Sequence, residues 1–317
     1  MILTVTLNAA LDRTLAVPNF EVGFRHRASE TLSLPGGKGV NVARVVKTVG
    51  QPVIASGFVG GRTGDRLISE LEREDILCDF VRILEESRTS TAVLDPARGT
   101  TTEINEYGPE VSPREVSRLC GKLDYLGKAT DVVVLAGSLP RGIDPDIYYA
   151  LIRDLRRSDL MVMLDTSGDP LRQGLKGEPD VVFANQVEAE TVIGHEIMTD
   201  EEFVLAAKTL RHMGARSAVV HSKERCVAQL ESPEGVKTCV NHSLDLQVVS
   251  AVGSGDALLG GFAAKMLDGW SAYECLRFGL GCAAANTLKF GAGVFSLEDA
   301  IHYADLVEVE EVHEVEV

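Results

Sequence analysis

Residues 131–137 read DVVVLAG, five consecutive apolar residues opened by an acid and closed by a glycine. A strand with one face in water alternates polar and apolar side chains; this one has no polar side. The run is too short for a buried helix, so it reads as a strand of a parallel sheet covered on both faces. Runs of the same kind recur as ILTVTL from Ile2, PVIASGF from Pro52, LMVMLD from Leu160, DVVFAN from Asp180 and SAVVHS from Ser217. Helical patterns lie between them. SPREVSRLCGKL opens on Ser112 with Pro113 at the first helical position and Glu115 completing a capping box. TDEEFVLAAKTLRHMG starts at Thr199 and stops at Gly214, and SAYECLRFGLGCAAANTL starts at Ser271. Strand and helix alternate almost from end to end, which predicts one doubly wound α/β domain spanning 1–317, its mostly parallel sheet covered by helices on both faces.

Two stretches break the alternation, at about 12–35 and about 88–106. Both read as strand and turn without helix, either a small β lid grafted onto the sheet or a pair of surface hairpins. The acidic tail, about 305–317, alternates Val with Glu and reads as an edge strand or a frayed end.

With 47 acidic against 31 basic residues the net charge is −16, which argues against a nucleic-acid surface. Small anionic ligands stay open, since surface carboxylates more than about 8 Å from a pocket are screened at physiological salt. Any such ligand needs local Arg, Lys or N–H groups. No apolar run reaches the roughly 18 residues of a membrane span. The start, MILTVTLNAALDRT, lacks the basic residues of a signal peptide. The cysteines at 78, 120, 226, 239, 275 and 282 form no CxxC pair or metal spacing. They predict buried thiols in a reducing, cytoplasmic setting.

Two glycine clusters carry the chemistry. In LPGGKGVNVARVVKTVG (34–50) Gly36 and Gly37 precede a helix that begins near Lys38, with Asn41 on the same face of its first turn. That arrangement suits a phosphorylated or polyhydroxylated ligand. In VGSGDALLGGF (252–262) Gly253, Ser254 and Gly255 aim successive amides at one point ahead of a helix, an anion nest reinforced by the helix dipole. Asp256 is the unusual element. It is either a first-turn cap, worth about 0.3–1 kcal/mol, or a general base for a hydroxyl attacking the anion in that nest. Two other patterns lead nowhere. GLGCAA from Gly279 fits GxGxxA but lies inside a helix, and the Gly-Lys pairs at 37–38, 121–122 and 127–128 lack the following Ser or Thr of a Walker A loop.

PGGKGVNVA and VGSGDALLGGF together resemble the ribokinase-like (PfkB) family of sugar kinases, with TLNAALDRT, GFVGGRTGD, GSLPRGI and NQVEAE in the family order between them. The resemblance covers nearly the whole chain. Within the family, TLNAALDRT, FRHRA and PGGKGVNVA are most similar to the phosphosugar branch of fructose-1-phosphate, tagatose-6-phosphate and minor 6-phosphofructokinases. It implies ATP and Mg2+ as cofactors, a sugar phosphate as partner, and a homodimer through the β lid, with no nucleic acid or membrane. It implies that Asp12 orients sugar hydroxyls; that Gly36, Gly37, Lys38 and Asn41 form the sugar loop; and that Arg27, Arg88, Lys38 and Ser138 grip the existing phosphate. Asp256 is then the base, beside the Gly253, Ser254 and Gly255 amides. Asn185, Ser222, Lys223 and Asn286 flank the nucleotide, and Glu188 of the NxxE element holds Mg2+ through water.

Two departures stand out. HSKERC, from His221, replaces the family's S-x-G-x-x-G turn, putting Lys223 and Cys226 at the glycine positions. Ser250 and Val252 stand where some relatives ligate a monovalent cation, so no potassium site is expected. The competing readings are a kinase of an unphosphorylated sugar or nucleoside, and a sugar-phosphate-binding regulator without catalysis.

Overall fold

The computed structural model describes residues 1–156 and 160–312. The chain opens with β1 (Ile2–Thr6), β2 (Ala10–Ala16), β3 (Glu30–Gly36), α1 (Lys38–Thr48), β4 (Val53–Gly60), α2 (Gly61–Arg73), β5 (Leu77–Ile83), β6 (Arg88–Asp95) and β7 (Thr100–Asn105). It continues through α3 (Pro113–Gly127), β8 (Val132–Ala136), α4 (Ile147–Leu155), β9 (Met161–Asp165), α5 (Gly168–Leu175), β10 (Val181–Asn185), α6 (Gln186–Ile193), α7 (Asp200–His212) and β11 (Ser217–His221). It closes with β12 (Arg225–Ser232), β13 (Gly235–His242), α8 (Ser254–Leu267), α9 (Ala272–Thr287), α10 (Leu297–Leu306) and β14 (Glu310–Val312).

Among the described residues these strands form a ten-stranded sheet in the order β14-β13-β12-β11-β10-β9-β8-β1-β4-β5 and a four-stranded one, β3-β2-β6-β7. From β11 to β5 the large sheet is parallel, and β12–β14 extend it antiparallel. The DVVVLAG run is β8 at its centre, paired with β1 and β9. Its alternate residues divide between two cores. Val133 and Leu135 join the one under α3–α7, and Val132, Val134 and Ala136 the one under α1, α2, α8 and α9. Neither face of the pleat meets water, so neither carries a polar residue. The six expected strands and three expected helices are all present, and Ser112, Thr199 and Ser271 each make their capping boxes.

Sequence reading passed over β5 and the β12–β13 hairpin. Both carry polar residues, because β5 is an edge strand and the hairpin leads toward the opposite edge. The small sheet is built from residues 10–36 and 88–105, and β7 is exposed throughout. The acidic tail pairs with β13 over Glu310–Val312; its remaining residues, 313–317, lie outside the described residues. GLGCAA is helical in α9, where Gly279 lets Leu258 and Phe262 of α8 approach its backbone. All six cysteines are free, four of them buried. No helix of the described residues is long and apolar enough to cross a membrane.

The chain builds β4 and β5 on one side of β1, then crosses to build β8 on the other. In an open parallel sheet, ligands bind beyond the carboxyl ends of the strands at such a reversal. Five strands deliver polar residues there: Asn8 after β1, Ser138 after β8, and Asp165, Asn185 and His221 at the ends of β9, β10 and β11.

Candidate active site

Two cavities open at this edge. The first, about 500 Å3, lies under the small sheet and is lined by Asn8, Asp12, Arg13, Arg88 and Ser138 among others. The second, about 770 Å3, runs along the ends of β10 and β11 and the start of α8. Lys38, Glu103, Val252 and Asp256 line both.

Asp12 comes from β2 and lies so close to Gly36 of the paired strand β3 that a Cβ there would fall on its carboxylate. Gly36 is therefore a backing for Asp12 rather than part of the cavity wall. Burial pushes the Asp12 carboxyl up to about 6, against the pull of Arg88 and a hydrogen bond from the Gly37 amide. Arg88, the first residue of β6, donates from Nε to the Asn8 carbonyl (3.2 Å) and from Nη1 to the Glu106 carbonyl (3.1 Å). Ser138 accepts from Asn8 Nδ2 at 3.2 Å. Two buried oxygens, Asn8 Oδ1 and Ser90 Oγ, have no partner among the described residues. Ser90 is on the cavity wall, so a hydroxyl-rich ligand can satisfy it.

Arg27 is elsewhere. It is exposed, in the connection between β2 and β3, which closes on itself through His26 Nε2 and the Glu21 carbonyl (2.8 Å). It lines neither cavity, and Arg13, which sequence reading passed over, does. Lys38 also departs from its expected place in a phosphate clamp. Its ammonium donates to Asp165 and to Glu188 Oε1 (2.8 Å) at the junction of the cavities. Burial alone would lower its pKa, but the carboxylates of Asp165, Glu188 and Asp256 reverse that, so it stays charged.

Gly253 precedes α8 with φ +78°, a conformation that favours glycine, and packs where a Cβ would be 2.5 Å from the Ala292 Cβ. The turn leaves the Gly255 and Asp256 amides of α8 without intrahelical acceptors. The Ser254 amide and hydroxyl, by contrast, both donate to the Ala251 carbonyl (3.3 and 3.0 Å), so Ser254 does not offer its amide to the cavity, contrary to expectation. Gly255 lies over His221, where a Cβ would meet the imidazole Cε1 at 2.8 Å. Burial lowers His221 to about 4, so that floor is neutral. Asp256 is 7% exposed, and its Oδ2 accepts from Asn41 Nδ2 at 2.8 Å. Burial raises its pKa, with Lys38 and the Asn41 hydrogen bond opposing. A raised carboxyl at the boundary of two cavities fits a proton acceptor better than a cap. Asp256 is also the acidic residue of the first turn of α8, where it complements the helix dipole.

Asn185 and Glu188 close a full capping box on α6, Glu188 Oε2 accepting from the Asn185 amide (2.8 Å). Glu188 Oε1 remains turned to Lys38. Ser222 lines the second cavity with its Oγ accepting the Glu224 and Arg225 amides (3.2 Å each), which tightens the β11–β12 turn. Lys223 lines the same cavity. Cys226 does not; it is 3% exposed and points into the core, so that glycine replacement leaves the cavity untouched. Asn286 is not on the wall either. It is fully buried, donating to the Val252 carbonyl (2.9 Å) and accepting from the Gly293 amide (2.8 Å), so it braces the turn from behind.

Asp165 and His221 went unassigned in the sequence, although each ends a buried strand with a polar residue, the signature of a ligand-facing edge. The lining of the second cavity also includes Val187, Ile197, Met198 and Phe203, apolar residues suited to a flat ring.

Comparison with known proteins identifies the family and the fold. The chain is 30% identical over 320 residues to a tagatose-6-phosphate kinase of Staphylococcus epidermidis (98% of this chain, 100% of the relative). It is 29% identical over 291 residues to a 1-phosphofructokinase of Borreliella burgdorferi (91% and 92%). Among solved structures, a possible 1-phosphofructokinase of Thermotoga maritima superposes with TM-score 0.90 at 29% identity, over 99% of this chain and 100% of that one. Phosphofructokinase-2 of Escherichia coli gives 0.86 at 25% identity (96% and 98%). The family model for pfkB family carbohydrate kinases matches residues 5–300, from β1 through both cavities and α8 into α10, and this chain belongs to that family.

Proposed function

We propose that the protein transfers the terminal phosphoryl group of ATP to a hydroxyl of a ketohexose phosphate, with fructose 1-phosphate, giving fructose 1,6-bisphosphate, as the first candidate. The observation that carries this reading is the position of Asp256, a buried carboxyl on the wall shared by an Arg-bearing polar cavity and a glycine-nest cavity. A phosphosugar kinase needs its proton acceptor at that boundary and a cation for the substrate's own phosphate.

In this reading Asp12 orients the sugar hydroxyls and Arg88, with Ser138 and Arg13, holds the existing phosphate; Arg can do so bidentately. Asp256 takes the proton of the attacking hydroxyl while the first-turn amides of α8 stabilise the negative charge that builds on the transferring group. Lys38 neutralises the junction, where three carboxylates and two phosphates would otherwise repel. Among the described residues no cluster of three or more His, Cys, Asp or Glu side chains can hold a metal alone. Asp165 and Glu188 nevertheless converge on one cation, the Lys38 ammonium. Such a sparse carboxylate pair fits Mg2+, which keeps its waters and binds phosphate oxygens. Asp165 and Glu188 would hold it, and it would neutralise the phosphate charge.

Tagatose 6-phosphate is the second candidate, favoured by the Staphylococcus relative. A neutral sugar or nucleoside would not draw on the positive charge that Arg88 and Arg13 bring to the first cavity, and a purely regulatory role would not draw on a proton acceptor at Asp256. The four-stranded sheet is read as the lid. Val22, Phe24 and Ile104 are exposed on it (90%, 71% and 62%), which supports a homodimer through this element, to be checked by light scattering of the free protein.

The deciding experiment measures ADP release from ATP and Mg2+ with fructose 1-phosphate, tagatose 6-phosphate, fructose 6-phosphate and fructose in turn. Strong preference for one phosphorylated sugar supports the proposal. Equal turnover of fructose, or no turnover of any, overturns it.

A further inference from the structure

Behind the two cavities lies a buried cation that the proposed chemistry does not use. Arg44, in α1, is 7% exposed, and its guanidinium makes five hydrogen bonds. Nε and Nη2 grip the Glu74 carboxylate beyond the end of α2 (2.7 and 3.2 Å). Nη2 also donates to the Pro35 carbonyl at the end of β3 (2.9 Å), and Nη1 donates to the Ala292 carbonyl (3.1 Å). The fifth bond, longer at 3.5 Å, runs from Nη1 to Asn41 Oδ1.

These partners are not scattered. Pro35 precedes Gly36, on which the Asp12 carboxylate rests; Ala292 is the residue against which Gly253 packs. Asn41 donates its Nδ2 to Asp256. A side-chain amide presents an acceptor at one end and a donor at the other, and only its partners decide which way it faces. Arg44 is the one donor to Asn41 Oδ1 among the described residues, and a guanidinium has no acceptor to offer. Together with the 2.8 Å bond to Asp256, this longer contact favours the amide with Oδ1 inward and Nδ2 toward the carboxylate. A flipped Asn41 would set its oxygen against Asp256. The sequence places the two residues three apart on α1, one turn of helix, which is why they stack.

We propose that Arg44 is a positioning residue for phosphoryl transfer: it orients the Asn41 amide, and through it the Asp256 carboxylate, while anchoring the backbone behind Asp12 and Gly253. Salt-bridge geometry alone would make Arg44 only a fold-stabilising group. The inference rests on the kinase reading, so its test must separate the two.

Arg44→Lys keeps the charge but cannot span Glu74, Ala292 and Asn41 together. We expect kcat to fall roughly tenfold or more, the usual scale for a misaligned reacting group, with KM for both substrates within about twofold. In an Asn41→Ala background the same substitution should cost less than about twofold in kcat, because the amide it orients is gone. A purely structural Arg44 gives unchanged kcat per folded molecule or equal losses in both backgrounds, and either overturns the inference. A lowered melting temperature is expected on both readings, since the part-buried pair with Glu74 is broken. If Arg44→Lys does not fold, Glu74→Gln, which weakens the anchor and keeps its shape, carries the same comparison with a smaller expected loss of about threefold. Asp256→Asn is run alongside. If the unaltered protein turns over none of the phosphorylated sugars, the kinase reading has failed; if Asp256→Asn retains full turnover, the assignment of Asp256 as proton acceptor has. If Asp256→Asn is inactive and the Arg44 effect is additive with Asn41→Ala, only the present inference has failed.

Discussion

The two cavities meet at Asp256 but recognise ligands by different means. The first is defined by side chains, an aspartate, arginines and amide and hydroxyl groups reaching in from β2, β6 and the loops after β1 and β8. The second is defined by backbone and shape: a left-handed glycine, a helix start, a neutral imidazole floor and an apolar wall. Side-chain contacts can be retuned one substitution at a time, whereas a main-chain nest depends on the conformation of a whole turn. Under the proposed function, the contrast assigns acceptor selectivity to the first cavity and general anion capture to the second.

Substitutions can break that division. The largest effect is expected from Asp256→Asn, which serves both cavities. Turnover should drop by about two to four orders of magnitude, the range for a lost general base, with the melting temperature nearly unchanged. A mere cap would show the reverse, normal turnover and lower stability, in a thermal melt beside the coupled assay. Arg88→Met should follow, raising KM for the phosphosugar roughly 10- to 100-fold, as losing a charge-assisted bond of about 1.5–3 kcal/mol implies. KM for ATP should stay put, and a parallel rise in it would erase the distinction between the cavities. Lys223→Gly acts on the other side. KM for ATP should rise by a few-fold at low salt, and the difference should shrink as ionic strength grows.

The smallest effect is one of stability. Burial raises the Asp12 carboxyl from 3.8 to about 6. A raised carboxyl favours the folded state fully below its unfolded pKa, and that contribution is lost as pH rises through the folded one. Above about pH 6 the charged Asp12 thus works against folding, so free Asp12→Asn should melt a few degrees higher than wild type near pH 8 and lose that advantage near pH 4. Turnover of this variant should be poor at every pH. A variant with lower stability at pH 8 would place Asp12 in a stabilising ion pair instead of a strained binding role.

Much of this was legible beforehand for a local reason. Buried strands lack polar residues, capping boxes repeat their Ser-x-x-Glu spacing, and glycine clusters mark turns that other residues resist, so the central sheet and both glycine motifs could be read from neighbours in the chain. Asp165 and His221 were half-legible, as polar ends to apolar strands, but their convergence on Lys38 and Gly255 depends on strand order. That Arg27 and Asn286 lie off both cavity walls was not legible for the same reason. A lid residue close to a motif in sequence need not face the cavity, and a helical amide expected to flank a base can have both ends bonded behind it.

By itself, then, the amino-acid order determined the α/β class, the helix starts and the two anion-friendly glycine turns, because each depends on interactions within a few residues. Only the tertiary structure decided that β1 and β8 lie side by side, that Asp256 lines two cavities at once, and that Arg44 reaches Glu74, Pro35, Ala292 and Asn41 together. Those contacts join residues up to 248 positions apart, and no local preference encodes a distance of that kind.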